Sequence, residues 1–205
     1  MPERPFADEP ALRPALSREQ LFDGRIQSFV RESFEYNGDQ LVREFTEHIG
    51  AVGILAMDDD DRILTIQQYR HPIRSRDWEI PAGLLDVAGE SPLLAAKREL
   101  AEEADLEAEQ WFELAEIYTS PGGSNEFDRI YLARGLTPTA AAFAREAEEV
   151  DIEVRWVALD DVVAAVLAGS VHNAILVTSA LAAFAARARG WEQLREANRG
   201  PKHEQ

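Results

Sequence analysis

Five charged residues with fixed spacing stand out between positions 90 and 103: Glu90, a gap of seven residues, Arg98-Glu99, and, after Leu100-Ala101, the pair Glu102-Glu103. On a helix of about 3.6 residues per turn, Glu99 and Glu103 lie one turn apart on one face and Glu102 sits three on from Glu99. Leu93, Leu100 and Ala104 fall on the other side. Three carboxylates this close repel one another, at a cost of roughly a few tenths of a kcal/mol per pair, and a bound cation relieves it. Carboxylate oxygens suit magnesium or manganese, which keep several waters and bridge to phosphates rather than being caged by protein. A bare Glu-Glu pair on a helix reads first as a solvated acidic face. Gly83, Glu90 and Arg98 around this one argue for a site.

The element that must carry these residues is a helix beginning near Ser91, a good N-cap, with Pro92 where a first turn tolerates it, and running to about Ala104. Ahead of it, Arg25 to Glu35 and Gln40 to Glu47 read as two strands joined at Asn37-Gly38, the dipeptide suited to the positive φ angles of a tight hairpin. Ala51 to Met57 and Arg62 to Tyr69 read as a second hairpin around Asp58 to Asp61, its first strand apolar enough to be buried on both faces. His71-Pro72 and Trp78 to Gly83 read as loop. After the helix come strands near Glu113 to Tyr118, Arg129 to Ala133 and Glu153 to Val157, then amphipathic helices over Leu159 to Ala168 and Ala174 to Arg189. The order predicts an α/β (α+β) sandwich with a mixed sheet and a separate N-terminal antiparallel β-hairpin subdomain. The expected divisions are a flexible arm at 1–20, the β subdomain at 21–48, the main domain at 49–195 and a flexible tail at 196–205.

Composition narrows the chemistry. The 205 residues carry 38 acids against 21 bases, a net charge of -17. That charge disfavours nucleic acid and anionic membranes, and no basic patch offsets it. An anionic phosphate ester still binds where divalent cations dominate the local field. Cysteine is absent, so thiolate metal sites are excluded. His48, His71, His172 and His203 lack the paired spacing of a zinc hydrolase. No apolar run is long enough for a membrane span, and the opening MPERPFADEP does not resemble a signal peptide. A cytoplasmic protein is expected.

Taken together, Gly83, Glu90, Arg98-Glu99-Leu100, Glu102-Glu103 and Leu106 resemble the Nudix box: Gly, five residues, Glu, seven residues, Arg-Glu, an aliphatic, any residue, Glu-Glu, any residue, Gly and an aliphatic. Two positions depart from it. Gly83 stands six rather than five residues before Glu90, and Asp105 replaces the closing glycine. The first lengthens a loop. The second places a residue that tolerates the left-handed conformation where a helix ends. The resemblance implies a box helix packed on a mixed sheet and a magnesium-dependent diphosphate hydrolase, with manganese as a substitute. It implies metal binding by Glu99 and Glu103, with Glu102 contributing, and by the backbone carbonyl of Ala82. Glu90 and Arg98 are implied as the ion pair that holds the loop against the helix and orients the glutamates.

Within that family the chain is most similar to the ADP-ribose pyrophosphatase branch. Pro121 lies sixteen residues beyond Asp105, the offset of a proline in that branch. The branch implies a catalytic base on a later acidic loop, here Glu149 first and Glu148 second, and substrate contacts at Arg70, Glu79, Pro121 and Glu126. The glycine-rich stretch around Pro121 suits close approach of backbone to a ligand. The N-terminal hairpin resembles the branch's dimerisation domain, so a homodimer acting on a small nucleotide sugar is expected. Other Nudix substrates remain open at this point: another nucleotide sugar, a dinucleotide or an oxidised nucleotide. So does a module that binds ADP-ribose without cleaving it. A DNA-binding regulator would need a basic helix-turn-helix that the alanine-rich C-terminal helices do not show.

Overall fold

Backbone pairing, more than side-chain burial, builds the N-terminal part of the chain. In this computed structural model, which describes residues 6–140 and 152–197, the chain divides into two units, Met1–His48 with Ser120–Asn125, and Ile49–Thr119 with Glu126–Gln205. The first holds an antiparallel meander of β1 (Ala15–Asp23), β2 (Gln27–Tyr36) and β3 (Asp39–His48). Asn37 and Gly38 take φ of 54° and 89°, the left-handed pair that a two-residue hairpin turn requires.

The third strand differs from expectation. Residues read as part of a loose arm form β1, which pairs with β2 from Ala15 opposite Phe34 to Asp23 opposite Ser28. Every residue of β1 is exposed, so no alternation of burial marked it in the sequence. Cross-strand ion pairs line this sheet: Arg18 with Glu32 at 2.7 Å and with Glu47, and Arg31 with Glu44 at 2.6 Å and Glu19 at 3.0 Å. Exposed pairs of this kind each contribute little, so register rests mainly on the turns, one closed by the Gly24 N–H on the Gln27 carbonyl at 3.1 Å and the other at Asn37-Gly38.

The second unit contains β4 (Ala51–Ala56), β5 (Arg62–Arg70), β6 (Ser75–Glu79), β7 (Ala82–Leu84), α1 (Pro92–Ala104), β8 (Leu106–Tyr118), β9 (Phe127–Pro138), β10 (Glu153–Ala158), α2 (Leu159–Leu167), α3 (Ala174–Arg187) and β11 (Arg195–Glu196). One sheet runs β11-β8-β9-β4-β7 and a second β10-β5-β6. The first is mixed, because β4 and β9 pair in parallel while its other neighbours are antiparallel. This is the mixed α+β arrangement expected.

β4 is buried along its whole length and divides the core. Val52, Ile54 and Ala56 join Ala95, Ala96 and Leu100 of α1, while Leu55 joins Ile80, Ile130, Leu132 and the α2 and α3 residues Leu159, Leu176 and Ala180. A strand apolar on both faces is what helix layers on either side of a sheet demand.

β4 and β5 do not form the ladder of a simple hairpin. The chain turns where Asp58 N–H donates to the Arg62 carbonyl at 3.0 Å, and Met57 and Ile63 make one isolated bridge. The strands then part into different sheets, because β4 takes β9 and β7 as neighbours while β5 takes β10 and β6. The stretch read as loop contains β6 and β7, which Pro81, lacking an N–H, separates into two short strands. Among the described residues no helix is long and apolar enough to cross a membrane.

Candidate active site

α1 begins where the sequence places it. The Ser91 side chain accepts the Leu94 N–H at 3.3 Å and Pro92 occupies the first turn. The helix stops at Asp105, whose φ of 54° is the left-handed conformation more commonly filled by glycine, with its N–H closing on the carbonyls of Leu100 and Ala101. Burial of Ala95, Ala96 and Leu100 fixes the rotation of the helix and turns Glu99 and Glu103 toward β7.

Arg98 organises the acidic face. Its Nε and Nη2 donate to the two Glu90 oxygens at 3.2 and 3.1 Å, and its Nη1 donates to Glu99 at 2.6 Å and Glu102 at 3.1 Å. One guanidinium thus meets three carboxylates. Glu103, only 7% exposed, turns the other way and accepts the Ala82 N–H at 3.0 Å. These bonds tie both ends of the box together across β7 and α1.

Gly83 is glycine for a steric reason. A Cβ built there would land on the Glu99 carboxylate, so the bare backbone is what lets that side chain lie against β7. Burial pushes the Glu99 carboxyl above the usual range; Arg98 pulls it down, and Glu102 and Asp86 push it further up. Asp86 is a neighbour that the sequence reading passed over, although it lies inside the spacing between Gly83 and Glu90.

The donor set fits a hard divalent cation. Oxygens of Glu99 and Glu102 already converge on one positive nitrogen, and Glu90, Glu99 and Glu102 share a single guanidinium while Glu103 lies on the Ala82 N–H, which leaves a surplus of negative charge. The described residues contain no ready-made cluster of three or more metal-ligating side chains, since the glutamates here are turned to Arg98 and to the Ala82 N–H.

Arg70 and Glu79 lie together on the β5–β6 hairpin. The guanidinium donates through Nε and Nη2 to the two Glu79 oxygens, each at 2.7 Å. Glu79 is 3% exposed, so what it offers a ligand is a fixed Arg70 rather than an open carboxylate. Glu126 accepts the Thr119 hydroxyl at 2.7 Å, and the Thr119 N–H donates to the Glu126 carbonyl at 3.3 Å. Pro121 lies in the Ser120–Asn125 stretch of the first unit. Glu148 and Glu149 lie outside the described residues.

Residues 47–176 match the model of the NUDIX domain. The chain is 43% identical over 171 residues to the ADP-ribose pyrophosphatase of Mycobacterium tuberculosis, covering 83% of this chain and 82% of that one. It is 39% identical to the methanol dehydrogenase activator of Bacillus methanolicus, over 67% of this chain and 75% of that one. With the ADP-ribose pyrophosphatase of Bacillus subtilis it shares 35% identity, over 78% and 85%. A crystal structure of an ADP compounds hydrolase superposes with a TM-score of 0.72, covering 90% of this chain and 99% of that one; at 22% identity it bears on the fold alone. The chain belongs to the Nudix family and is an enzyme of that hydrolase class, which works with a divalent metal.

Proposed function

We propose that this enzyme hydrolyses the diphosphate of ADP-ribose to AMP and ribose 5-phosphate, using magnesium, with manganese as a substitute. The observation that carries the reading is the Arg98 cluster. Its carboxylates are gathered against a glycine that leaves them room, in a chain whose relatives at 43% and 35% identity are named ADP-ribose pyrophosphatases.

Glu99 and Glu103, with Glu102 and the Ala82 carbonyl, would hold the metal. When bound it supplies Lewis-acid charge to the diphosphate oxygens and acidifies water. Glu90 and Arg98 fix the glutamates in place. Arg70, held by Glu79, meets a substrate phosphate, and Pro121 and Glu126 border the rest of the ligand. Glu149, or Glu148 in its place, takes the proton of the attacking water as oxygen bonds to one phosphorus and the bridging P–O bond breaks. A general base of this kind contributes about 10²–10⁴-fold. We therefore expect Glu149→Gln to lower kcat on that scale with metal affinity retained. Should Glu148→Gln do so instead, the base is Glu148.

The segment 21–48 serves as a dimerisation domain and 49–195 as the catalytic domain of a cytoplasmic homodimer. The exposed apolar residues of the N-terminal sheet, Phe22, Phe29 and Val42 among them, support this. Sedimentation equilibrium should return twice the chain mass of 22.9 kDa; a monomer at micromolar concentration would rule the dimer out.

A further inference from the structure

Among the described residues, Asn37, Asp61, Arg74, Asp105 and Trp191 hold a positive φ without being glycine. Asn and Asp visit the left-handed region more readily than other side chains do. Trp191 packs against the core, with the Arg134 guanidinium 5.4 Å over its ring. Neither reason applies to Arg74. Its φ of 52° and ψ of 40° close the three-residue turn His71–Ile73, where its N–H donates to the His71 carbonyl at 3.2 Å. Glycine is the residue that a left-handed turn end favours. The backbone therefore does not account for a long cationic side chain at this position.

Nor do contacts account for it. The connection from β5 to β6 is exposed from His71 to Arg76, and the Arg74 guanidinium makes no ion pair or hydrogen bond with any described residue. Ile63 to Arg76 contains no acidic residue, in a chain that carries 38. The two acids that follow are engaged: Asp77 accepts the Asn173 Nδ2 at 3.3 Å, and Glu79 takes both bonds from Arg70. Arg76 leans back on β5, its Nε donating to the Gln67 Oε1 at 3.3 Å. The turn is thus a cationic projection on a chain of net charge -17.

Arg70 stands at the start of this same turn, opposite Ser75 in the β5–β6 ladder, so Arg74 is its near neighbour across the hairpin end. A charge acts through water over about 10 Å at 0.1 M salt and about 3 Å at 1 M. An acidic enzyme repels the anionic diphosphate that it must take up, and a cation beside the point of entry reverses the field there. We propose that Arg74 is a specificity-determining residue that attracts the anionic diphosphate of the substrate to Arg70, by its charge and without joining the reacting groups. The proposal rests on the reading of Arg70 as the residue that meets a substrate phosphate.

The test compares Arg74→Gly, Arg74→Glu and Arg74→Lys in the full chain, with Arg189→Gln as a control that removes the same charge just beyond α3. Thermal unfolding is read beside ADP-ribose kinetics at fixed magnesium, in about 10 mM and about 0.5 M added salt. Arg74→Gly should keep or raise Tm, because glycine suits the turn. In low salt its kcat/KM should fall about threefold to fivefold with kcat within about twofold, and Arg74→Glu should lose more. Both gaps should close in high salt, while Arg74→Lys and Arg189→Gln behave as wild type. Undiminished kcat/KM in Arg74→Glu, a loss of equal size at both salt strengths, or a lowered Tm in Arg74→Gly would overturn the proposal. Arg70→Gln, assayed alongside, separates the two readings. If it leaves kcat/KM unchanged at both salt strengths, the phosphate contact at Arg70 fails and this proposal falls with it; if it lowers kcat/KM while Arg74→Glu does not, only this proposal fails.

Discussion

Glu99 shows how one residue carries competing demands. It is buried against Gly83, beside Glu102 and Asp86, with Arg98 as its counter-ion. Its raised pKa means that burial of the charge destabilises the metal-free fold. The stability this carboxyl contributes is full below its ordinary range and is lost as pH rises through its higher folded value. Glu99→Gln removes that burden, so in chelator at neutral pH we expect a Tm at or above wild type, with turnover abolished. Glu103→Gln keeps an acceptor for the Ala82 N–H and should likewise fold yet be inactive. Full activity in either variant would refute the metal assignment. Gly83→Ala tests the same geometry from the other side: the new methyl displaces Glu99, and misplacing a catalytic group by about 1 Å costs roughly 10²-fold in rate. The spacing of the charged residues was legible in the sequence, because a helix converts spacing directly into a face. The reason for Gly83 was not, since it lies in a contact with a side chain sixteen positions later.

Legibility among the elements follows how local their causes are. The Ser91 cap, the Asp105 terminus and the Asn37-Gly38 turn are decided within a few residues, and the sequence reading anticipated each. Where tertiary pairing decides, it did not. β1 is held by β2 without a buried side chain of its own, and β4 and β5 part into two sheets because β9 and β10 arrive from far along the chain. The turn between β4 and β5 is nonetheless firmly built. Asp58 Oδ1 accepts the N–H groups of Arg62 at 2.8 Å and Asp60 at 3.0 Å, and Oδ2 takes the Arg62 guanidinium at 2.8 Å. Partial burial pushes the Asp58 carboxyl up, but these donors outweigh it and the net shift is downward. A lowered folded pKa adds stability that is present above the ordinary aspartate range and lost as pH falls through the folded value. Asp58→Ala should therefore cost on the order of 1 kcal/mol at pH 7, read by urea unfolding, with the gap to wild type narrowing toward pH 3. An equal gap at both pH values would remove the carboxylate from the account of this turn.

For the molecule as a whole, a net charge of -17 and an anionic substrate are compatible only if cations intervene, and the Arg98 cluster leaves carboxylate charge for them to meet. The family was legible because the box is local, and the comparisons agree with it over residues 47–176. The proposed base, Glu149 or Glu148, is implied by the resemblance to the ADP-ribose branch, and both residues lie outside the described residues. The most direct measurement is phosphate release, after a phosphomonoesterase chase, from ADP-ribose, other nucleotide sugars, dinucleotides and nucleoside triphosphates, with magnesium and with chelator. We expect magnesium-dependent cleavage that favours ADP-ribose and disappears with chelator. Cleavage that survives chelation, or silence on every member of the panel, would contradict a metal-dependent diphosphatase.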